Sequence, residues 1–512
     1  MNAQLRDETC EPVKMLRAGS WESSATERWG DVYNPSTGRV IAKVPLCTAD
    51  EVDKVVQAAA EAYPAWAQTP VVERVRVLYR FRELILANFE ELARLVTCEH
   101  GKTLDEARAS VQRGVEMIEF ACGIPSLIMG QCIENIARDV DCETIRHPLG
   151  VCVGITPFNF PAMVPLWMYP IAIACGNAFV LKPSEKVPLS AVRLGELLIE
   201  AGLPEGVFNI VHGDRECVDA LLTHPLVRAV SFVGSTNVAR HVYETGTRHG
   251  KRVQAAGGAK NHVIIMPDAD VDQSVAALVA SAFGCAGERC MAGSLALVVG
   301  EIGDRLVDRL CERAANLKVG PTDPSLADDD VEMGPLVTRE HLERVVGYLD
   351  VGVREGASLV LDGRARDLRG DGFLVGPSVF DNVRPDMRVA REEIFGPVLP
   401  VVRVSCLDEA LAIGDTCEYG NGACIFTRDG RAARQFKHRF NAGMIGINIG
   451  VPAPMAWFPF TGWNRSFFGD LHIQAAEGLQ FYTQQKMTMT RWFETARDSH
   501  ADPVWRSATG RS

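Results

Sequence analysis

The chain has 512 residues, 47% apolar and 23% charged, which is long enough for more than one hydrophobic core and reads as folded for most of its length. A formal charge of −12 without any basic stripe argues against nucleic acid and points to a small metabolite. No stretch reaches the roughly 20 apolar residues of a membrane helix, so no membrane partner is expected.

The first residues, MNAQLRDETCEPVK, carry Asp7, Glu8 and Glu11 and lack an apolar core, so no signal or transit peptide is expected there. Residues 48–120 read as helical: Thr48 and Glu51 form a capping-box pattern, and Val52, Val55, Val56 and Ala59 follow at helical spacing. Residues 124–147 break into short mixed segments that suit a hairpin arm. From 149 to 266 the pattern changes to β-branched runs separated by helix-length segments: GVCVGIT, AFVLKPS, GVFNIVHG, AVSFVGS and HVIIMPDAD. Such alternation predicts right-handed βαβ units and a parallel sheet.

A second α/β series runs from about 257 to 450, through LALVVGEIG, a helix near 303–317, SLVLDG, VLPVVRV and GMIGINIG. Segment 478–492, GLQFYTQQKMTMTRW, alternates like an exposed strand, a kind that usually finds a partner. The polar tail after Glu494 is expected to be unstructured.

The fifteen cysteines are thinly spread, odd in number and contain no CxxC pair. They predict reduced thiols in a cytoplasm-like compartment. The eleven histidines lack metal-ligand spacing, so no structural metal is expected.

The stretch FGCAGERCMAG, residues 283–293, holds Cys285 and Cys290. A cysteine attacks only as thiolate, and a loop cysteine beside a cation, here Cys290 beside Arg289, is better placed to ionise than a buried one. Most cysteines are nevertheless small core residues. Cys285, read as the last part of a helix over about 271–286, fits that description, whereas this window alone leaves Cys290 open.

Six ordered motifs extend the argument: TPFNFP (156–161), FVLKPSEKVP (179–188), SFVGST (231–236), GGAKNH (257–262), FGCAGERCMA (283–292) and EEIFGPV (392–398). In order and spacing the chain resembles the aldehyde dehydrogenase superfamily over nearly its whole length. AGERCMA, GGAKNH, ITPFNFPAMVPLWMYPIAIACGN and GVPAPMAWFPFTGW followed by SFFGDLH are similar to its CoA-acylating methylmalonate-semialdehyde dehydrogenase branch.

The resemblance implies an α/β fold of aldehyde dehydrogenase type. Its Rossmann-type NAD-binding domain would span 15–124 and 145–256, and its α/β catalytic domain 257–462. A β-strand oligomerisation arm would use 125–144 and 463–492, with a flexible tail over 493–512. A cytoplasmic homodimer or homotetramer is implied as well.

It also implies roles. Cys290 would attack the aldehyde, with the Asn159 amide and the Cys290 N–H as oxyanion donors. Lys182 and Glu185 would bind the adenosine ribose of NAD, with Gly234 and Ser235 near the pyrophosphate. Glu393 and Phe395 would hold the nicotinamide end, and Phe158 and Lys186 would complete the cofactor site. The GSTxxG pattern ends in Ala239 rather than glycine, still small enough for close helix packing. Arg289 and Arg113 would clamp a substrate carboxylate. Read without the resemblance, Arg113 would pair with Glu116 at i+3 or sit in solvent.

Hydrolytic members of the superfamily carry a glutamate base in an ELGGK-type motif, thirty-four residues before the nucleophile; here that position is Ala256. A positioned base contributes about 10²–10⁴-fold, so without one a thioester would wait for a CoA thiol. The expected reaction is NAD-dependent oxidation of malonate or methylmalonate semialdehyde, with loss of the β-carboxylate and acyl transfer to CoA. The alternative is a hydrolytic aldehyde dehydrogenase releasing a carboxylic acid; a binding protein that merely keeps the fold is a third possibility.

Overall fold

The computed structural model describes residues 12–492 apart from 324, 325, 327–329, 367 and 369. The acidic N-terminus through Glu11 and the tail expected over 493–512 lie outside the described residues.

Two sheets carry the architecture. The first has eight strands, in the order Ser20–Glu22, Met15–Arg17, Phe208–Ile210, Ala178–Lys182, Val151–Ile155, Val227–Val233, Arg252–Ala256 and Phe467–Phe468. Its central strands are parallel, and the two flanking pieces at the edges run antiparallel. The VCVGI and AFVLK strands are buried at every position, as expected where helices cover both faces of a parallel sheet.

The second sheet has seven strands, in the order Ser358–Leu361, Ser378–Asp381, Val398–Val404, Gly293–Val299, Asn261–Ile265, Gly422–Phe426 and Met444–Ile447. HVIIMPDAD, grouped by sequence with the first series, therefore belongs to the second sheet, where Asn261–Ile265 pairs with Gly293–Val299 and Gly422–Phe426. The change of sheet falls between Ala256 and Asn261, across the glycine pair of GGAKNH.

Four helices come before the parallel strands in the chain: Ala49–Gln68 packs directly on the first sheet, while Val71–Ala87, Phe89–His100 and Leu104–Cys122 pack on one another and on the helices Met163–Ala174 and Leu189–Glu200. The first opens with the Thr48–Glu51 capping box read in the sequence, and the fourth with a second box formed by Thr103 and Glu106.

The strand Cys132–Ala137 and the strand Val140–Pro148 form a hairpin that runs past the expected arm boundary at 144. Thr483–Arg491 pairs antiparallel with its second strand. The rest of the segment expected to join the arm does otherwise. Phe467–Phe468 closes the first sheet, and Ala475–Phe481 is a helix whose Leu479 and Phe481 are buried. The exposed-strand alternation consequently starts at Thr483 rather than 478.

This layout converges the six motifs. TPFNFP, KPSEKVP, GSTN and GGAK each follow the carboxyl end of a parallel strand of the first sheet, the usual place for ligand loops in such sheets. GERCMA and EEIFGP each precede the amino end of a strand of the second sheet. The cleft lies between those two edges.

Candidate active site

The helix that leads to the cysteine pair, Val271–Phe283, stops earlier than the sequence spacing predicts. Cys285 and Ala286 then take left-handed backbone, with φ of 49° and 51°. Cys285 is thus buried in a tight turn, not on a helix as expected from its spacing. Non-glycine residues hold this conformation only where surrounding bonds over-determine it. Here the Glu106 carboxylate accepts the Cys285 N–H at 2.7 Å.

Cys290 follows at the mouth of the next strand. Its carbonyl is held by two side-chain amides, Asn261 at 2.8 Å from the adjoining strand and Asn421 at 2.9 Å from just before Gly422–Phe426. Cys290 forms part of the wall of two cavities. One is a narrow cleft shared with Ala259, Asn261, Glu393 and Phe395. The other, of about 400 Å³, is shared with Glu106, Arg113, Trp167, Arg289 and Phe460.

Burial pushes the Cys290 thiol up to about 12, and the Glu393 carboxylate adds to the rise; the N–H groups of Cys290 and Met291 and the Arg289 charge oppose it less strongly. The adjacent arginine does favour ionisation, as its place in the sequence suggests, but burial outweighs it and favours the thiol. The Arg289 guanidinium itself is directed to Glu106, at 3.0 Å, and to Cys285 Sγ, at 3.2 Å.

Asn159 is buried, and its Nδ2 donates to the Glu288 carbonyl at 3.0 Å. Its own carbonyl accepts from Lys102 Nζ at 2.6 Å, and that lysine also lies 3.9 Å above the Phe160 ring. The amide is therefore fixed in place beside the nucleophile loop, a requirement for a donor that must meet a developing charge without reorganising.

Arg113, on Leu104–Cys122, reaches the 400 Å³ cavity and also makes the i+3 pair with Glu116 at 3.1 Å that its sequence spacing allows. It further contacts Met455 Sδ.

The residues expected around the cofactor fall into three places. Lys182 Nζ donates to Glu185 Oε2 at 3.0 Å. Burial alone would raise the Glu185 carboxyl, but Lys182 and Lys186 outweigh it and hold it below the ordinary range. Ser235, next to Gly234, is the N-cap of Thr236–Arg248 and makes no side-chain cap bond, so the helix presents bare first-turn N–H groups. Phe158 and Phe395 meet edge to face with centroids 5.8 Å apart, and Lys186 Nζ lies 5.1 Å from the Phe158 ring. Glu393 Oε1 accepts from the Ala259 N–H at 2.8 Å, and burial pushes its carboxyl up to about 7.

Sequence reading missed three groups here. Glu106 is distant in sequence from the loop it ties down. Glu288 is fully buried, with Oε1 accepting from the Val337 N–H at 3.2 Å and Oε2 lying 3.8 Å from His100 Nε2. Burial pushes its carboxyl up to about 8. Lys102 holds the turn that carries Asn159. The capping box at Thr103 was the one local signal for Glu106; nothing local marks the other two. Among the described residues no three His, Cys, Asp or Glu side chains converge as metal ligands, and no helix is long and apolar enough to cross a membrane.

A cleft bearing Glu393 and Phe395 and a cavity bearing Arg113 and Arg289 thus meet at one cysteine. The aldehyde dehydrogenase family model matches residues 21–488, and the chain belongs to that family of enzymes. It is 50% identical over 484 residues to malonate-semialdehyde dehydrogenase of Halalkalibacterium halodurans, covering 94% of this chain and 99% of that protein. Among solved structures, methylmalonate-semialdehyde dehydrogenase of Oceanimonas doudoroffii aligns with a TM-score of 0.93 at 46% identity, covering 96% of this chain and all of that one. A Sinorhizobium meliloti 1021 protein assigned to the same enzyme type, and complexed with NAD, matches with a TM-score of 0.93 at 46% identity.

Proposed function

We propose that this enzyme oxidises malonate semialdehyde or methylmalonate semialdehyde with NAD and passes the acyl group to CoA. The observation that carries the reading is the place of Cys290, which lines both the Glu393–Phe395 cleft and the cavity walled by Arg113 and Arg289. The similarity to malonate- and methylmalonate-semialdehyde dehydrogenases supports the choice of substrate.

The residues fit NAD. The Lys182–Glu185 pair offers a donor and an acceptor suited to a ribose diol, and the uncapped start of Thr236–Arg248 suits a pyrophosphate. A Cβ at Gly258 would fall 2.3 Å from Glu393 Oε2, so the carboxylate can lie this close only because that residue is glycine. When bound, NAD supplies the acceptor for the aldehyde hydride.

Cys290 Sγ gives its proton to solvent and adds to the aldehyde carbon, and the new oxyanion is stabilised by the Asn159 amide and the Cys290 N–H. Loss of hydride converts this adduct to a thioester on Cys290. Arg289 and Arg113 hold the substrate carboxylate, which leaves as CO₂ or bicarbonate while a solvent proton takes its place on the neighbouring carbon. Ala256 is buried at the end of Arg252–Ala256 and offers no base for water. The CoA thiol then takes the acyl group, giving acetyl-CoA or propionyl-CoA and restoring the Cys290 thiol.

The same reading assigns the hairpin 132–148 and Thr483–Arg491, where Ile133, Ile145, Met487 and Met489 are exposed, to contact with further copies in a cytoplasmic homodimer or homotetramer. The partners otherwise are the semialdehyde and CoA, with no nucleic acid or membrane. Product identification by mass spectrometry tests the reaction: NAD and each semialdehyde with CoA should yield acyl-CoA, and omission of CoA should stall turnover. Steady release of free acid without CoA would make the enzyme hydrolytic.

A further inference from the structure

Arg289 is engaged on three sides. Its Nε donates to Cys285 Sγ at 3.2 Å, its Nη1 to the Ala280 carbonyl at 3.4 Å and its Nη2 to Glu106 Oε1 at 3.0 Å. A Cβ on Gly284 would fall 2.5 Å from Nη1, so the guanidinium rests against bare backbone. A guanidinium has five N–H donors, so one remains on each terminal nitrogen, the pair that a carboxylate can accept in a fork.

Glu106 sets this arrangement. It is the third residue of Leu104–Cys122, and its Oε2 accepts the Thr103 N–H at 3.1 Å as half of the capping box. Its Oε1 accepts from both Arg289 and the N–H of Cys285. One carboxylate, anchored on Leu104–Cys122, thus binds both ends of the loop that leads to Cys290. It also lines the same 400 Å³ cavity as Arg113, Arg289 and Cys290.

We propose that Glu106 is a positioning residue for acid-bearing substrates: it aims the two unspent N–H groups of Arg289 into the cavity, and so governs recognition of the substrate carboxylate. The proposal rests on the reading that Arg289 binds that carboxylate. Glu106 acts through Arg289 and touches no reacting atom.

The test compares Glu106→Ala, Arg289→Ala and the double variant of the full-length enzyme, with NAD and CoA, on malonate semialdehyde and on uncharged propanal. Glu106→Ala should raise KM for the semialdehyde at least about tenfold more than KM for propanal, the scale of one lost charge-assisted hydrogen bond, with any change of kcat through the Cys285 turn shared by both aldehydes. In the double variant it should add nothing to the effect of Arg289→Ala, because residues acting as a unit are not additive. If Glu106→Ala does not fold, Glu106→Gln, which keeps an acceptor but loses the charge, should raise the semialdehyde KM alone by about threefold or more. Equal losses on both aldehydes, or a further tenfold loss in the Arg289→Ala background, would overturn the proposal. Should Arg289→Ala impair semialdehyde binding while neither Glu106 variant does, only the Glu106 role falls. If Arg289→Ala leaves that KM unchanged, the carboxylate reading itself falls and takes the proposal with it.

Discussion

The Asn159 side chain donates to the Glu288 carbonyl at 3.0 Å, joining the loop after Val151–Ile155 of the first sheet to the loop that precedes Cys290 in the second. One amide thus spans the cleft two residues before the nucleophile, while Lys102 holds the carbonyl of the same asparagine from behind. Asn159→Ala should lower kcat by about 10²–10³-fold, the usual cost of an oxyanion donor. Steady-state kinetics with NAD binding followed separately would check this; a change confined to NAD affinity would remove Asn159 from the oxyanion role.

Ala256 lies where a water-activating glutamate would stand, and it is 3% exposed. Ala256→Glu should raise CoA-independent turnover at least tenfold, within the range of about 10²–10⁴ available to a positioned base. Free acid measured against acyl-CoA, with and without CoA, reads the effect. An unchanged product ratio in a folded variant would show that the missing carboxylate does not decide the acyl acceptor.

Glu185 carries its charge beside Lys182. That charge favours a free ribose hydroxyl and opposes a 2′-phosphate. Glu185→Gln should raise KM for NAD by about tenfold, the scale of a charge-assisted hydrogen bond, and narrow the preference over NADP by a similar factor. Initial rates with both dinucleotides decide it, and an unaltered preference would place the ribose elsewhere.

Glu288 faces His100 and His341, with Lys102 and Lys186 as the nearby cations. Burial moves its carboxyl from an ordinary 4.5 up to about 8, so between those values the folded chain keeps a proton that the unfolded chain has lost. Its contribution to stability is complete below about 4.5 and is lost as pH rises toward 8. His100 and His341 are pushed down by burial and so act in the opposite sense at the acid end. Glu288→Gln removes the carboxyl alone, and its Tm should exceed that of the wild type by a few degrees more at pH 8 than at pH 5. Thermal melts across that range provide the check; parallel curves for the two proteins would contradict it.

Local chemistry was legible from the sequence wherever its partners lie close along the chain. The Thr48–Glu51 box needs only three residues of separation, as does the Arg113–Glu116 pair, and both form as their spacing allows. The parallel strands announced themselves as β-branched runs, because strands covered on both faces must be apolar throughout. The ordered motifs likewise identified the family and singled out Cys290 from fifteen cysteines.

Long-range geometry decided the rest. Helical spacing placed Cys285 on a helix, yet the chain turns left-handed there because Glu106, 179 residues away in sequence, accepts its N–H. Adjacency rightly made Arg289 a cation for Cys290, yet its guanidinium hydrogen-bonds Cys285 and Glu106, and burial outweighs its charge at the Cys290 thiol. Sequence by itself thus determined the family and most strands of the two sheets, since ordered motifs and apolar runs are local patterns. Only the tertiary structure decided how the site residues are charged and aimed, because hydrogen bonds and desolvation act through space between segments that the chain order keeps far apart.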